Sequence, residues 1–215
     1  MFAAFFGFMA VLWAVDIDFI APDKSLVGLS SINGFIAKHF PFSNAFYIIS
    51  EIIGYLALAT VGFFGLLGLW QLIKRKSIFK VDSRIYLLAF LYIALAIVYV
   101  VFEKINFNVR PVIMPGETVP EASFPSSHTI LAFGVFGSAA VVIGDYIKNA
   151  TAAKAAGIAF NVLAILAVIT RFLSGVHWLS DIAAGILLGC ALLCLFIAFI
   201  DCDIIKRRNK DENVG

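Results

Sequence analysis

Six long apolar runs are the feature that most constrains the fold of this 215-residue chain. A membrane-spanning helix takes about 20 consecutive apolar residues. Only 14% of the residues are charged, whereas a soluble domain has about a quarter. The sequence therefore predicts an all-α, polytopic membrane protein, built as a six-transmembrane-helix bundle. The apolar runs lie at 2–21, 46–73, 85–103, 127–147, 155–174 and 181–201.

We expect one membrane-embedded domain over residues 1–205, followed by a basic cytoplasmic tail at 206–215. Residues 22–45 are too polar to span a bilayer, and their mixed pattern predicts an interfacial segment between helices 1 and 2. The first run has the hydrophobicity of a signal peptide but lacks a basic n-region. Asp16 and Asp18 stand where a cleavage site would have small residues. We therefore expect the first helix to be retained.

Lysines and arginines are distributed unevenly between the two sets of loops. Eleven of the 16 follow the second, fourth and sixth runs. By the positive-inside tendency, both termini are cytoplasmic, and the loops at 104–126 and 171–180 face outward in the cell membrane. The five cations on the outward side are Lys24, Lys38, Lys104, Arg110 and Arg171.

Other classes of protein find little support in the composition. A net charge of +2 is too small to predict a nucleic-acid partner, because such binding relies on clustered cations. The three cysteines include no CxxC pair, so we predict neither a disulfide framework nor a metal site. Small apolar packing residues are the favoured interpretation of Cys190 and Cys194.

Three polar stretches interrupt the apolar runs on the predicted outer side. They read KINFNVRP at 104–111, FPSSHT at 124–129 and TRFLSGVHWLSD at 170–181. Two of the chain's three histidines, His128 and His177, fall within them. The first and third stretches also contain one arginine each, Arg110 and Arg171. Imidazoles, fixed cations and a carboxylate together suit phosphoryl transfer without a metal ion.

His177 and Asp181 are four residues apart at the predicted start of the last helix. This spacing brings two side chains within reach of each other on a helix. A carboxylate beside one imidazole nitrogen fixes the tautomer and leaves the other nitrogen free to attack phosphorus. The alternative is a buried pair that only caps the helix, which an isolated HxxxD would favour.

Ser126, Ser127 and His128 precede an apolar helix-forming run. The pattern places their backbone N–H groups at a helix N-terminus, where free donors bind anions. Serine there is also an ordinary N-cap, whereas His128 has no capping role and suits a proton donor. Arg110 and Arg171 supply planar forks that match phosphate oxygens, although arginines at span ends also reach toward lipid head groups.

Together the three stretches resemble the type 2 phosphatidic acid phosphatase superfamily of integral membrane lipid phosphatases. That family's signature is Lys-x6-Arg-Pro, then Pro-Ser-Gly-His, then Ser-Arg-x5-His-x3-Asp. This chain has Arg110-Pro111, Pro125-Ser126-Ser127-His128 and Thr170-Arg171-x5-His177-x3-Asp181. The matching segments cover 104–181.

The chain departs from the family pattern at three positions. Ser127 replaces glycine and Thr170 replaces serine. Lys104 lies one residue too close to Arg110, and Glu103 occupies the family's lysine position. A shift of one residue turns a helical side chain by about 100°. We still expect Lys104 to bind phosphate, because its side chain is long and flexible.

The resemblance implies a two-step hydrolysis with His128, His177 and Asp181 as catalytic residues. His177, oriented by Asp181, attacks phosphorus while His128 protonates the leaving oxygen, and water then cleaves the phosphohistidine. The resemblance also implies that Lys104, Arg110, Ser126, Ser127 and Arg171 bind the substrate phosphate. It implies no cofactor and no metal ion.

The expected partner is a lipid phosphate whose tail stays in the bilayer: a polyprenyl diphosphate such as undecaprenyl diphosphate, phosphatidic acid or phosphatidylglycerol phosphate. Two other functions fit the same features. A lipid phosphotransferase would use the same scaffold with another acceptor. A non-catalytic transporter would need polar residues within its spans, for which Glu51 is the main candidate. An inactive family member is a further alternative, raised by the register of Lys104.

Overall fold

The computed structural model describes the backbone of residues 1–212 and the side chains of residues 1–203. The described residues form seven long helical segments without a β-strand. Their bounds are α1 Phe2–Ala14, α2 Ser30–His39, α3 Asn44–Arg75, α4 Ser83–Ile105, α5 Ser127–Asp145, α6 Ala150–Leu173 and α7 Leu179–Glu212. A short 3-10 turn, Ile78–Lys80, joins α3 to α4. The predicted tail at 206–215 lies outside the described side chains.

Within the described part of the chain, the five helices α3 to α7 are long and apolar enough to cross a membrane. They correspond to five of the six predicted spans, so the all-helical membrane fold is confirmed. The first predicted span, 2–21, instead gives the 13-residue helix α1, which is about 20 Å long. A hydrocarbon core is about 30 Å thick. The count of six spans is therefore not confirmed.

Helix α5 occupies the centre of the bundle. About 61% of its span is buried inside the protein, against 17% for α3 and 11% for α6. Small residues let its neighbours approach closely, as is common between membrane helices. A Cβ added at Gly134 would meet Leu95 of α4 at 2.7 Å, and one at Gly185 of α7 would meet Thr129 at 2.8 Å. This packing fixes the N-terminal end of α5 against α7.

Helix α2 forms within the predicted interfacial segment and lies over the N-terminal end of α7. Asp16 begins this region by accepting hydrogen bonds from the Ser30 hydroxyl and the Ser31 backbone N–H, at 2.9 and 2.8 Å. Asn33 then exchanges hydrogen bonds with Ser180, whose backbone N–H it accepts at 3.1 Å. These hydrogen bonds hold α2 against the first turn of α7.

Candidate active site

The three polar stretches meet at one end of the bundle, where α4 and α6 end and α5 and α7 begin. They surround a cavity of about 700 Å³ that continues between α3 and α4. This volume is within the usual range for small-molecule sites. Its polar end is lined by Glu51, Arg110, Ser127, His128, Arg171 and His177.

His177 lies in the loop just before α7, and Asp181 lies in the first turn of that helix. Asp181 Oδ2 is 3.6 Å from His177 Nδ1 and accepts the Trp178 backbone N–H at 3.1 Å. Asn108 donates to the other carboxylate oxygen at 3.3 Å. The Asp181 side chain is fully buried. It therefore both caps the helix and stands beside the imidazole, and its role in orienting His177 stays a prediction.

The His177 imidazole is almost completely buried, with 4% of the side chain exposed. Burial lowers the pKa of His177 well below its usual value, and the nearby cations Arg171 and Arg110 act in the same direction. Neither ring nitrogen has a hydrogen-bond partner among the described residues. A neutral ring with Nδ1 toward Asp181 leaves Nε2 as a free lone pair, which is the form a nucleophile requires.

His128 lies in the first turn of α5, lines the cavity and reaches α3. Its Nε2 is 3.3 Å from Glu51 Oε1. A Cβ added at Gly54 would lie 2.9 Å from the same nitrogen, so the absence of a side chain there lets the ring rest against α3. His128 and His177 thus line one cavity from two different segments, as the sequence predicted.

Both predicted arginines line the cavity, and each is paired with a glutamate. Arg171 is 2% exposed; its Nη1 binds Glu51 Oε1 at 2.8 Å and the Ser50 hydroxyl at 3.2 Å. Arg110 Nη2 binds Glu121 Oε2 at 2.9 Å. Charge-assisted pairs of this kind hold guanidinium groups in place. Both arginine side chains are therefore positioned by contacts within the protein.

The two serines differ in what they can offer a phosphate. Ser127 lines the cavity. Ser126 is buried; its backbone N–H donates to the Asp181 carbonyl at 3.1 Å, and its hydroxyl accepts from Thr129 at 3.0 Å. Phosphate binding by both serines stays a prediction, and for Ser126 it has less support, because its backbone donor is already used in joining α5 to α7.

Lys104 is not brought to the site. It lies exposed in the last turn of α4, and among the described residues it is Glu103 that lines the cavity next to Phe102. Phosphate binding by Lys104 stays a prediction, which its position outside the cavity lining does not support. One residue of rotation about the helix axis carries the ammonium group onto another face.

Two residues that the motifs did not indicate take part in the site. Glu51 contacts both His128 and Arg171, and Asn108 contacts Asp181. The signal for Glu51 was present in the sequence, since an acidic residue inside an apolar run needs a partner. From the sequence alone, Glu51 fits a transporter as the main polar residue within a span.

The rest of the cavity is apolar and follows the α3–α4 gap toward the middle of the bundle. Aromatic and aliphatic side chains surround it, and they belong to the deeper turns of the two helices. They are Leu58 and Val61 from α3 and Tyr92, Leu95, Val98, Tyr99 and Phe102 from α4. A polar head and an apolar tail of one ligand would therefore find matching surroundings.

In the part of the chain whose side chains are described, no three His, Cys, Asp or Glu side chains are grouped as metal ligands would be. The acidic and imidazole groups of the cavity are instead interleaved with arginines. Such an arrangement suits an anion, because guanidinium groups present only hydrogen-bond donors to it.

Comparisons with known proteins agree with this geometry. A family model described as the PAP2 superfamily matches residues 102–202, which contain all three polar stretches. No curated protein matches the chain. A similar solved structure is the crystal structure of the first transmembrane PAP2 type phosphatidylglycerolphosphate phosphatase from Bacillus subtilis, with a TM-score of 0.68 and 20% identity over 93% of this chain and 94% of that chain. These findings confirm the family resemblance, and the structural likeness confirms the fold.

Proposed function

We propose that this chain, whose residues 102–202 match the PAP2 superfamily model, is an integral membrane lipid phosphatase. It hydrolyses a phosphate or diphosphate monoester of a membrane lipid through a phosphohistidine. The observation that carries the proposal is the meeting of His128, His177, Arg110 and Arg171 at one end of a cavity whose other end runs between two membrane helices.

In the first step, Nε2 of His177 attacks phosphorus while the bond from phosphorus to the leaving oxygen breaks. His128 gives its proton to that oxygen, and the Asp181 carboxylate balances the positive charge that develops on the His177 ring. Arg110 and Arg171 hold the non-bridging oxygens, with Ser127 beside them. Stabilising charge that grows in the transition state is the main way in which phosphoryl transfer is accelerated.

In the second step, water replaces the departed alcohol or phosphate. His128, now neutral, takes a proton from the water as its oxygen bonds to phosphorus, and the bond between phosphorus and His177 breaks. Inorganic phosphate leaves, and His128 again carries the proton needed for the next turnover. The scheme uses no metal ion and no cofactor.

The apolar part of the cavity supports a substrate with a lipid tail. A polyprenyl diphosphate, phosphatidic acid and phosphatidylglycerol phosphate share a terminal phosphate on a hydrophobic anchor, and we propose this class, with the polyprenyl diphosphate first. The solved structure of similar fold is named for activity on phosphatidylglycerol phosphate, so that lipid belongs in any substrate panel. The cell membrane, with the site on its outer side, is the proposed location.

The experiment is phosphate release from these three lipids by purified protein in detergent and chelator. We expect release by the wild type and a loss of at least about a thousandfold in His177→Ala, because removing a nucleophile removes the step itself. The matched control is His39→Ala, which alters the chain's exposed third histidine on α2 and keeps wild-type activity.

Three results would contradict the proposal. Activity that persists in His177→Ala would remove the proposed nucleophile, and dependence on added divalent cations would contradict the metal-free scheme. Transfer of the phosphoryl group to a second lipid without release of inorganic phosphate would identify a phosphotransferase instead.

A further inference from the structure

Glu51 lies between the proposed proton donor and a proposed phosphate-binding arginine, although it belongs to none of the three motifs. Its Oε1 atom is 3.3 Å from His128 Nε2 and 2.8 Å from Arg171 Nη1. The side chain is 30% exposed, toward the cavity. A single carboxylate oxygen therefore contacts two groups of the proposed chemistry.

Helix α3 presents Glu51 to the site through one continuous face. Ser50 accepts a hydrogen bond from Arg171, and the Tyr47 ring lies 5.7 Å from the same guanidinium group. One turn further along, Gly54 leaves space for the His128 ring. This face makes α3 a wall of the site, whereas the sequence motifs lie only on later segments.

The charges around His128 explain why a carboxylate is needed there. Two guanidinium groups oppose a positive charge on the ring, and the buried His177 adds no negative charge. Glu51 is the carboxylate in ion-pair distance of His128 among the described residues. The groups that face this part of the cavity are Glu51 from α3, Glu103 from α4, Arg110 and Glu121 from the loop after α4, Arg171 from α6, and His177 before α7.

We infer that Glu51 is the positioning residue of His128: it fixes the ring by its contact with Nε2 and supplies the counter-charge of the protonated form. His128 must begin the first step with a proton and regain one in the second. A carboxylate at 3.3 Å favours the imidazolium in both situations. The site then contains two histidine–carboxylate pairs, His177 with Asp181 and His128 with Glu51. This inference rests on the proposed function.

The test measures kcat and KM for phosphate release from dioctanoyl phosphatidic acid, from about pH 5 to about pH 9. In Glu51→Gln we expect kcat to fall at least about tenfold, which is modest for impaired proton transfer. The alkaline limb of the kcat profile should also move to lower pH, because the imidazolium has lost its counter-charge. Glu51→Asp keeps the charge and should restore part of both properties.

Glu121→Gln is the matched control, since it breaks a second glutamate–arginine pair at the cavity without a histidine. Its alkaline limb should stay where the wild-type limb is. If Glu51→Gln raises KM but leaves the limb unmoved, Glu51 only neutralises Arg171, and the inference is overturned. If Glu51→Gln does not fold, Glu51→Asp becomes the test. Its shorter side chain withdraws the carboxylate from His128, so the alkaline limb must still move to lower pH than in the wild type. A wild type that releases no phosphate from any lipid of the panel refutes the proposed function itself, and this inference with it.

Discussion

At the scale of single residues, the site depends on buried groups that keep one protonation state. The lowered pKa of His177 follows from its burial beside two arginines. The residue is therefore neutral in the folded protein, whereas it titrates near pH 6.5 in an unfolded chain. The same burial that makes it a suitable nucleophile couples folding to pH.

We predict that His177 makes the folded state less stable as pH falls below about 6.5. In that range the unfolded chain binds a proton at this residue and the folded protein does not. The free energy of unfolding should fall by up to about 1.4 kcal/mol per pH unit until the lowered pKa is reached. Unfolding in detergent at several pH values measures the slope.

His177→Gln should have a shallower slope than the wild type, because glutamine binds no proton in either state. Equal slopes for His177→Gln and the wild type would mean that the ring is protonated in the folded protein.

The motif residues were predictable from the sequence because their roles depend on spacing along short segments. His128, Arg110 and Arg171 do line one cavity with His177. The sequence marked Glu51 as a polar residue within a span but not its partner, since Arg171 is 120 residues away in sequence and only packing brings the two together. Lys104 lies outside the cavity lining for a local reason: α4 continues through residue 104, so this side chain is turned by about 100° from that of Glu103.

At the scale of elements, the first apolar run shows how a helix can end before hydropathy would end it. Val15, directly after α1, is extended with a φ of −121° and a ψ of 128°, so the helix has ended there. Asp16 follows in the left-handed region with a φ of +51°. Its carboxylate accepts hydrogen bonds from Ser30 and Ser31 instead. Such capping is typical of aspartate. A hydropathy window that counts apolar residues does not register a turn of this kind, so the run at 2–21 was predicted too long.

Helix α3 contains few polar residues, so hydropathy alone did not reveal that the face with Glu51 and Gly54 meets His128. The structure supplies a prediction at Gly54. Gly54→Ala places a Cβ 2.9 Å from His128 Nε2, which must displace the ring. Since a displacement of about 1 Å at a reacting group costs about a hundredfold in rate, we expect kcat to fall by about tenfold to a hundredfold.

Gly62→Ala is the control within the same helix, because a Cβ added there meets nothing within 4 Å. Both alanines favour the helix by about 1 kcal/mol over glycine, so folding does not separate the two variants. We expect Gly54→Ala to lower kcat and Gly62→Ala to keep the wild-type kcat. Equal rates for both variants would show that the His128 position is not critical.

At the scale of the whole molecule, the site and the main group of basic residues lie at opposite ends of the helices. The proposed chemistry lies where α3 begins and α4 ends, whereas Lys74, Arg75, Lys76 and Lys80 lie where α3 ends. Arg75 is anchored there by Asp82 at 2.8 Å. Because basic loops stay cytoplasmic, the bundle would carry its cavity at the outer leaflet.

This orientation predicts which positions a membrane-impermeant maleimide reaches in intact cells. With Cys190, Cys194 and Cys202 replaced by alanine, a cysteine at Thr118, in the exposed loop beside the site, should be labelled directly. A cysteine at Lys80, at the opposite end, should be labelled only after the membrane is permeabilised. The reverse labelling pattern would place the cavity at the inner leaflet. The enzyme would then act on lipid phosphates presented from the cytoplasm, and the basic residues after α3 would face outward, against the positive-inside tendency.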